Sequence, residues 1–225
     1  MPRHIQAVTF DVGGTLIECW PSVGHIYAEV AARHTGRSLA PAVLNRRFAA
    51  AWRAQRNFEH SRSDWSALVD ATFHGLLEVS PSQTFFPELY DRFSEPKAWH
   101  VFDDVLETLA TLSARGLKLG IISNWDERLR PLLRALKLAP HFQVTLVSCE
   151  IGASKPAAAI FAAAARELGL PPEKILHIGD SLEHDFRGAQ TAGCHALWLD
   201  RAAPAAPGRI SSLREIGAVI SHNYL

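Results

Sequence analysis

Five polar side chains stand where chemistry would be expected: Asp11, Ser123, Lys155, Asp180 and Asp185. Asp11 closes the apolar run Ile5-Gln6-Ala7-Val8-Thr9-Phe10 and opens Asp11-Val12-Gly13-Gly14-Thr15-Leu16. Ser123-Asn124 closes LKLGIIS, and Gly179-Asp180 closes KILHIG, with Asp185 five residues on. Lys155-Pro156 follows a third apolar run past Glu150-Ile151-Gly152-Ala153-Ser154. Taken singly, each has an ordinary structural use. Asp11 and Gly13-Gly14 make a turn, Ser123-Asn124 another, Lys155 a solvated charge and Asp180 a helix cap. Taken together, they are an acid, a hydroxyl, a base and two more acids, each just beyond a strand. In a parallel sheet those ends share one edge, the crevice where ligands bind. The pattern predicts that the five converge.

The elements that must position them alternate. From Val101 onward the chain reads helix 103–114, strand 117–123, helix 127–136, strand 143–148, helix 157–168, strand 174–179, helix 185–192 and strand 196–200. Such alternation implies right-handed βαβ units and a parallel sheet with helices on both faces. The fold class is therefore α/β, a Rossmann-like three-layer core. Residues 201–208 read as a surface loop, and 213–220 as a last helical turn and an edge strand. Between the first strand and Val101 the grammar is helical, with helices at 24–36, 41–59, 64–79 and 87–93 and no convincing strand. Pro41 suits a first turn, and Ser63-Asp64 a cap. This predicts an inserted all-helical domain at 17–96, with the core formed by 1–16 and 97–225.

Bulk composition narrows the field. The 23 basic and 23 acidic side chains cancel, which leaves no basic footprint for nucleic acid or an anionic membrane. No apolar run approaches the roughly 20 residues of a membrane span, and Met1-Pro2-Arg3-His4 leads directly into a strand without a signal-peptide h-region. Cys19, Cys149 and Cys194 are scattered and lack metal-site spacing. They read as reduced thiols, so the expected location is the cytoplasm.

The four strand-end motifs resemble those of the haloacid dehalogenase-like superfamily over nearly the whole chain. Asp11 to Leu16 is similar to its first motif, Ser123-Asn124 to its second, Lys155-Pro156 to its third, and Gly179-Asp180 through Asp185 to its fourth. The helical insert resembles the cap of subfamily I. Ser123-Asn124-Trp125-Asp126 and Gly179-Asp180-Ser181 are similar to the rhythmically expressed gene-like branch. The resemblance implies a nucleophilic Asp11 that attacks phosphorus to give an aspartyl-phosphate. It implies Mg²⁺ held by Asp11, the Gly13 carbonyl, Asp180 and Asp185, and Lys155 balancing the charge. Gly13, Gly14, Thr15, Ser123, Asn124 and Lys155 would line a small phosphorylated substrate.

One position departs from that pattern. Phosphatases of this superfamily carry a second aspartate two residues after the nucleophile, as the proton donor and base; here it is Gly13. A slow or specialised phosphatase, or a binding protein without turnover, would fit. Substitute groups from the cap would be His25, Tyr27, Arg53, Arg56, Asn57 or His60, each also readable as packing or surface. Dehalogenases of the superfamily place tyrosine at the Gly13 position and use no metal, which the acidic fourth motif opposes. Phosphonatases need a cap lysine, and the only lysine between Asp11 and Val101 is Lys97. His177 reads as a satisfied core histidine, and the aromatics Trp52, Trp65, Phe58, Phe73, Phe85 and Phe86 as a bundle core.

Overall fold

The computed structural model describes residues 5–56 and 58–221; Asn57 lies outside them. Eight strands are present among these residues: β1 Ala7–Phe10, β2 Ile17–Cys19, β3 Trp99–Val101, β4 Lys118–Ser123, β5 Val144–Val147, β6 Ile175–Gly179, β7 His195–Leu199 and β8 Arg209–Ile210. Six of them form one sheet in the order β5-β4-β1-β6-β7-β8, and every neighbouring pair is parallel. β1 and β6 are buried along their whole length. Their near-continuous apolar runs are what a sheet covered on both faces requires.

The chain starts in the middle of this sheet. β1 pairs with β4 on one side (Phe10 opposite Ile121) and with β6 on the other (Phe10 opposite Ile178). Strand order reverses across β1, so the crevice at a topological switch point lies at its carboxyl end. Asp11 is the next residue, its N–H bonded to the Ile178 carbonyl at 2.9 Å.

Two compact units result: Met1–Ile17 with Val101–Glu127 and Leu136–Leu225, and Glu18–His100 with Arg128–Ala135. The chain passes from one to the other through the β2–β3 ribbon, which the sequence pattern did not reveal. Residues 127–136, read as a core helix, appear as α6 Leu129–Ala135 and group with the second unit. That unit also holds α1 Val23–Thr35, α2 Pro41–Ala54, α3 Arg62–Phe73 and α4 Phe86–Arg92.

Its helix ends differ from the periodicity for local reasons. α2 stops at Ala54 rather than 59, because the Gln55 side chain turns back to the Ala51 carbonyl and Gln55 turns extended. The Glu59 N–H is then taken by the Asp64 carboxylate. Ser61, not Ser63, caps α3 in a reciprocal capping box with Asp64. Phe73, Phe85 and Phe86 lie in this unit's core with Tyr27, Leu44 and Leu89. Trp52 does not: it is exposed and stacks on Trp65 beside Phe58 and His60.

The first unit adds α5 Val105–Ala114, α7 Ser148–Ile151, α8 Ala158–Leu168, α9 Gly188–Thr191 and α10 Ile216–Ser221. The edge strand is β8 at 209–210, not within 213–220, which is helical. Residues 201–208 are more than a loop. The Arg201 guanidinium grips buried Asp104 with two hydrogen bonds, at 2.9 and 3.0 Å, and donates to the Thr15 carbonyl at 2.9 Å. No helix among the described residues is long and apolar enough to cross a membrane.

Candidate active site

Everything in the site hangs on the first turn. After Asp11 the chain folds back at once, the Val12 carbonyl accepting from the N–H groups of Leu16 and Ile17 at 2.8 and 3.0 Å. Gly14 sits at φ +75°, and a Cβ there would stand 2.4 Å from Asp180 Oδ2. Glycine is therefore needed twice, for the left-handed backbone and for the carboxylate beside it. Gly179 is needed for space alone, since its Cβ would fall 2.2 Å from Asp185 Cγ.

The predicted residues do converge. Asp11 is buried, and its Oδ1 accepts from Ser123 Oγ at 3.0 Å and from Lys155 Nζ at 2.6 Å. The same ammonium reaches Asp185 Oδ1 at 2.5 Å. Asp11, Asp180 and Asp185 each offer a carboxylate oxygen within 4.8 Å of the other two. Asp185 is carried on a π-turn, Leu182–Arg187, where an ordinary helix from 185 was expected. Its Oδ2 takes the Ser181 N–H at 2.9 Å, so the turn widens around its own carboxylate. Such π-turns concentrate at functional sites. Asp180 remains open to solvent, its carbonyl pinned by the Trp198 indole N–H at 3.0 Å.

Two predicted residues have other work. The side-chain amide of Asn124 is spent at both ends on Lys155: Nδ2 donates to its carbonyl at 2.9 Å, and Oδ1 accepts from its N–H at 2.7 Å. Asn124 therefore positions the lysine rather than facing a ligand. Thr15 is fully buried behind the turn, so its side chain cannot touch a substrate. Gly13 and Gly14 are part-exposed at the turn itself.

Electrostatics follow from three acids facing one ammonium. Burial raises the Asp11 carboxyl; Lys155 opposes this, Asp185 adds to it, and the net direction is up. Burial would also raise Asp185, but the Lys155 ammonium and the His177 hydrogen bond hold it well below the usual carboxylate range. Burial would strip the proton from Lys155, yet Asp11 and Asp185 more than offset that and hold it charged. At Asp180 the lowering by the Lys155 charge is outweighed. Crowding by protein atoms, then the charges of Asp11 and Asp185, push its carboxyl up to about 7. Three carboxyls thus face one ammonium, and the two whose pKa values are raised, Asp11 and Asp180, are the ones that a bound cation would relieve.

His177 is fully buried, as a core histidine would be, but its partners make it part of the site. Nε2 lies 3.1 Å from Asp185 Oδ1 and Nδ1 lies 3.0 Å from Thr9 Oγ1. Burial holds its pKa down, so the ring is neutral. A carboxylate only accepts, so the proton sits on Nε2, and Nδ1 accepts from the threonine hydroxyl. Strand alternation puts residues 177 and 179 of β6 on one face, but the packing of Asp185 against Gly179 that brings it to His177 is a tertiary contact. His184, next to Asp185 in sequence, is exposed. Of the helical-unit candidates, Tyr27 is buried, Arg53 and Arg56 are exposed, and His25 packs its ring nitrogen on Ser22, 2.8 Å away.

Comparison with known proteins gives a consistent answer. A family model described as haloacid dehalogenase-like hydrolase matches residues 5–193. The human haloacid dehalogenase-like hydrolase domain-containing protein 3 is 36% identical over 206 residues, covering 86% of this chain and 81% of the human one. A phosphoglycolate phosphatase from Salmonella typhi is 28% identical over 210 residues, covering 88% and 82% respectively. A solved HAD phosphatase from Thermococcus onnurineus is similar in structure, with a TM-score of 0.70 at 25% identity, covering 96% of this chain and 98% of that one.

Proposed function

The chain belongs to the haloacid dehalogenase-like hydrolase family, and from that premise we propose that it is a Mg²⁺-dependent phosphatase acting on a small phosphorylated metabolite through Asp11. The observation that carries this is the bridging of Asp11 and Asp185 by the buried Lys155 ammonium, with Asp180 left charge-crowded beside them. Phosphatase relatives such as the Salmonella enzyme support the choice of chemistry.

The donor set suits magnesium. Three hard carboxylate oxygens, one of them solvent-open, match an ion that takes one or two carboxylates and keeps several waters. Asp11, Asp180 and Asp185, with the Gly13 carbonyl, would hold it, and its charge would offset that of the phosphoryl oxygens. The protein's own groups do the rest. Ser123 and Lys155 both bond Asp11 Oδ1, which fixes the carboxylate plane and leaves Oδ2 without a side-chain partner among the described residues. An Asp11 oxygen forms the new bond to phosphorus as the bond to the leaving oxygen breaks, the electron pair departing with that oxygen. Water then attacks the phosphorus of the acyl phosphate, releasing phosphate and restoring the carboxylate, with its proton passing to solvent. Lys155 opposes the upward pull of burial on the nucleophile's carboxyl.

Gly13 offers no acid or base to either step. Such assistance is worth about 10²–10⁴ in rate, or roughly 3–5 kcal/mol of barrier, so turnover is slower than in a chain with a carboxylate there. The same glycine supports a second reading, a phosphometabolite-binding protein without turnover. A haloacid dehalogenase fits less well, because displacing halide from a carboxylic acid needs no cation, whereas Asp11, Asp180 and Asp185 together could hold one. The test is release of phosphate from an aryl phosphate with and without Mg²⁺. Wild-type hydrolysis that needs the metal and is abolished in Asp11→Asn is expected. Equal rates in the two proteins would sink the enzyme in favour of the binder, and halide release from 2-chloropropionate would favour the dehalogenase.

A further inference from the structure

Gly13 is usually explained by conformation, but here the backbone does not demand glycine: its φ is not in the left-handed region, unlike that of Gly14. What occupies its side-chain space is Trp125. A Cβ built on Gly13 would lie 3.2 Å from Trp125 Cζ3 and 3.9 Å from Cη2, and among the described residues other than Gly13 and its two chain neighbours no further atom comes within 4 Å of it. The contact at 3.2 Å is tighter than a side chain tolerates without the ring giving way. An aspartate there would carry its carboxylate one bond beyond that crowded Cβ, with the indole on its flank.

The backbone that carries the indole is held in place. The Trp125 main-chain N–H donates to Ser148 Oγ at 3.1 Å, and that hydroxyl donates back to the Trp125 carbonyl at the same distance. The Cys149 N–H adds a third bond to this carbonyl at 3.3 Å. Ser148 is itself buried at the start of α7. On the other side, Ser123 is bonded to Asp11 and Asn124 to Lys155. Trp125 thus belongs to the same segment as the groups that hold the nucleophile, and its six-membered ring borders the space that a side chain at position 13 would enter.

We infer that Trp125 takes the place of the acid–base side chain, as a specificity-determining residue, and that the substrates are phosphoryl donors with weakly basic leaving groups: acyl, enol or aryl phosphates. The inference rests on the phosphatase reading and names its substrate class. With indole in that place, the leaving oxygen departs as a carboxylate, enolate or phenolate and takes no proton as the bond to phosphorus breaks. An alkoxide would have to leave unprotonated, which forfeits the full acid contribution of about 10²–10⁴.

Two measurements test this. The first is kcat/KM with Mg²⁺ for acetyl phosphate, a set of substituted phenyl phosphates and glycerol phosphate. Wild type should fall steeply along the series, by about 10²-fold or more from the best aryl to the alkyl ester. Gly13→Asp alone should leave that slope in place, because the indole still fills the space. Gly13→Asp with Trp125→Ala should flatten it and raise alkyl phosphate hydrolysis about 10²-fold. Equal wild-type rates on alkyl and aryl esters would overturn the substrate class. A slope flattened by Gly13→Asp alone would overturn the role of Trp125.

The second measurement does not need turnover. Gly13→Ala should change the melting temperature less favourably in wild type than in the Trp125→Ala background, where the added methyl meets no ring and the loss of glycine's freedom in the unfolded chain stabilises, the signature of two groups competing for one space. Equal effects in both backgrounds would refute the contact. A wild type inert on every substrate, in a protein that passes this stability cycle, would fail the phosphatase reading and the substrate class with it. Trp125 would then still stand as the occupant of the position.

Discussion

Lys155→Met tests what holds the site together. The ammonium is 3% exposed and bonds two buried carboxylates, Asp11 at 2.6 Å and Asp185 at 2.5 Å. Methionine keeps most of the volume and removes the charge. The two carboxylates then face each other with oxygens within 4.8 Å. At an effective dielectric constant of about 20, that repulsion is roughly 3–4 kcal/mol, matching the 3–5 kcal/mol typical of removing one partner from a buried ion pair. For a chain of this size the expected fall in melting temperature at pH 7, without metal, is roughly 6–16 °C.

The pH dependence has a definite sign. In wild type the Lys155 pKa is raised on folding, so its stabilisation is complete below the unfolded value of about 10.4 and is lost only in strong base. In the variant, Asp11 and Asp185 lose their counter-charge. Acidification protonates Asp11, whose carboxyl burial and the Asp185 charge already raise, and so relieves the repulsion. The gap between the two proteins should therefore be widest near neutrality and close as pH falls toward 5. Saturating Mg²⁺ should narrow it as well, by supplying the missing charge. Differential scanning calorimetry over pH 5 to 8 reads all three effects. A variant melting within about 2 °C of wild type at pH 7, or a gap that widens in acid, would refute the account.

Other outcomes are fixed by single contacts. His177→Leu removes the N–H that orients Asp185 and should weaken Mg²⁺ binding about 10–100-fold by isothermal titration calorimetry, while ¹⁵N spectra of the wild-type ring should show the Nε2–H tautomer. Gly14→Ala forces a methyl to 2.4 Å from Asp180 Oδ2 at φ +75°, so it should lose at least about 1–2 kcal/mol of stability along with metal affinity, both measurable on the same sample. At Asp104, burial is outweighed by the bonds from Arg201, the Leu213 N–H and Ser212, and its pKa is lowered on folding. That stabilisation is present above the unfolded carboxylate value of about 3.9 and lost as pH falls through the lower folded one. Asp104→Asn should therefore be less stable than wild type at pH 7, with the difference shrinking below about pH 4 in melting experiments.

The sequence by itself determined the sheet and the edge on which the site lies. A buried parallel strand needs an unbroken apolar run, and such runs end in full view, so Asp11, Ser123, Lys155, Asp180 and Asp185 could be placed on one edge before any coordinates. Gly13 as the departure at the acid–base position was equally visible. Tertiary structure decided how the remaining side chains are used, because that depends on neighbours far along the chain. Asn124 reads as a ligand until Lys155 claims both ends of its amide, and His177 reads as core until Asp185 folds back onto it. Arg201 reads as loop until Asp104 and Thr15 meet it. Local hydrogen bonds, not periodicity, set the ends of α2 and α3 and the π-turn that carries Asp185. Nothing in the spacing of Gly13 and Trp125 showed that one would stand in the other's place. That fact comes from packing, in which a missing side chain leaves a space and a distant residue fills it.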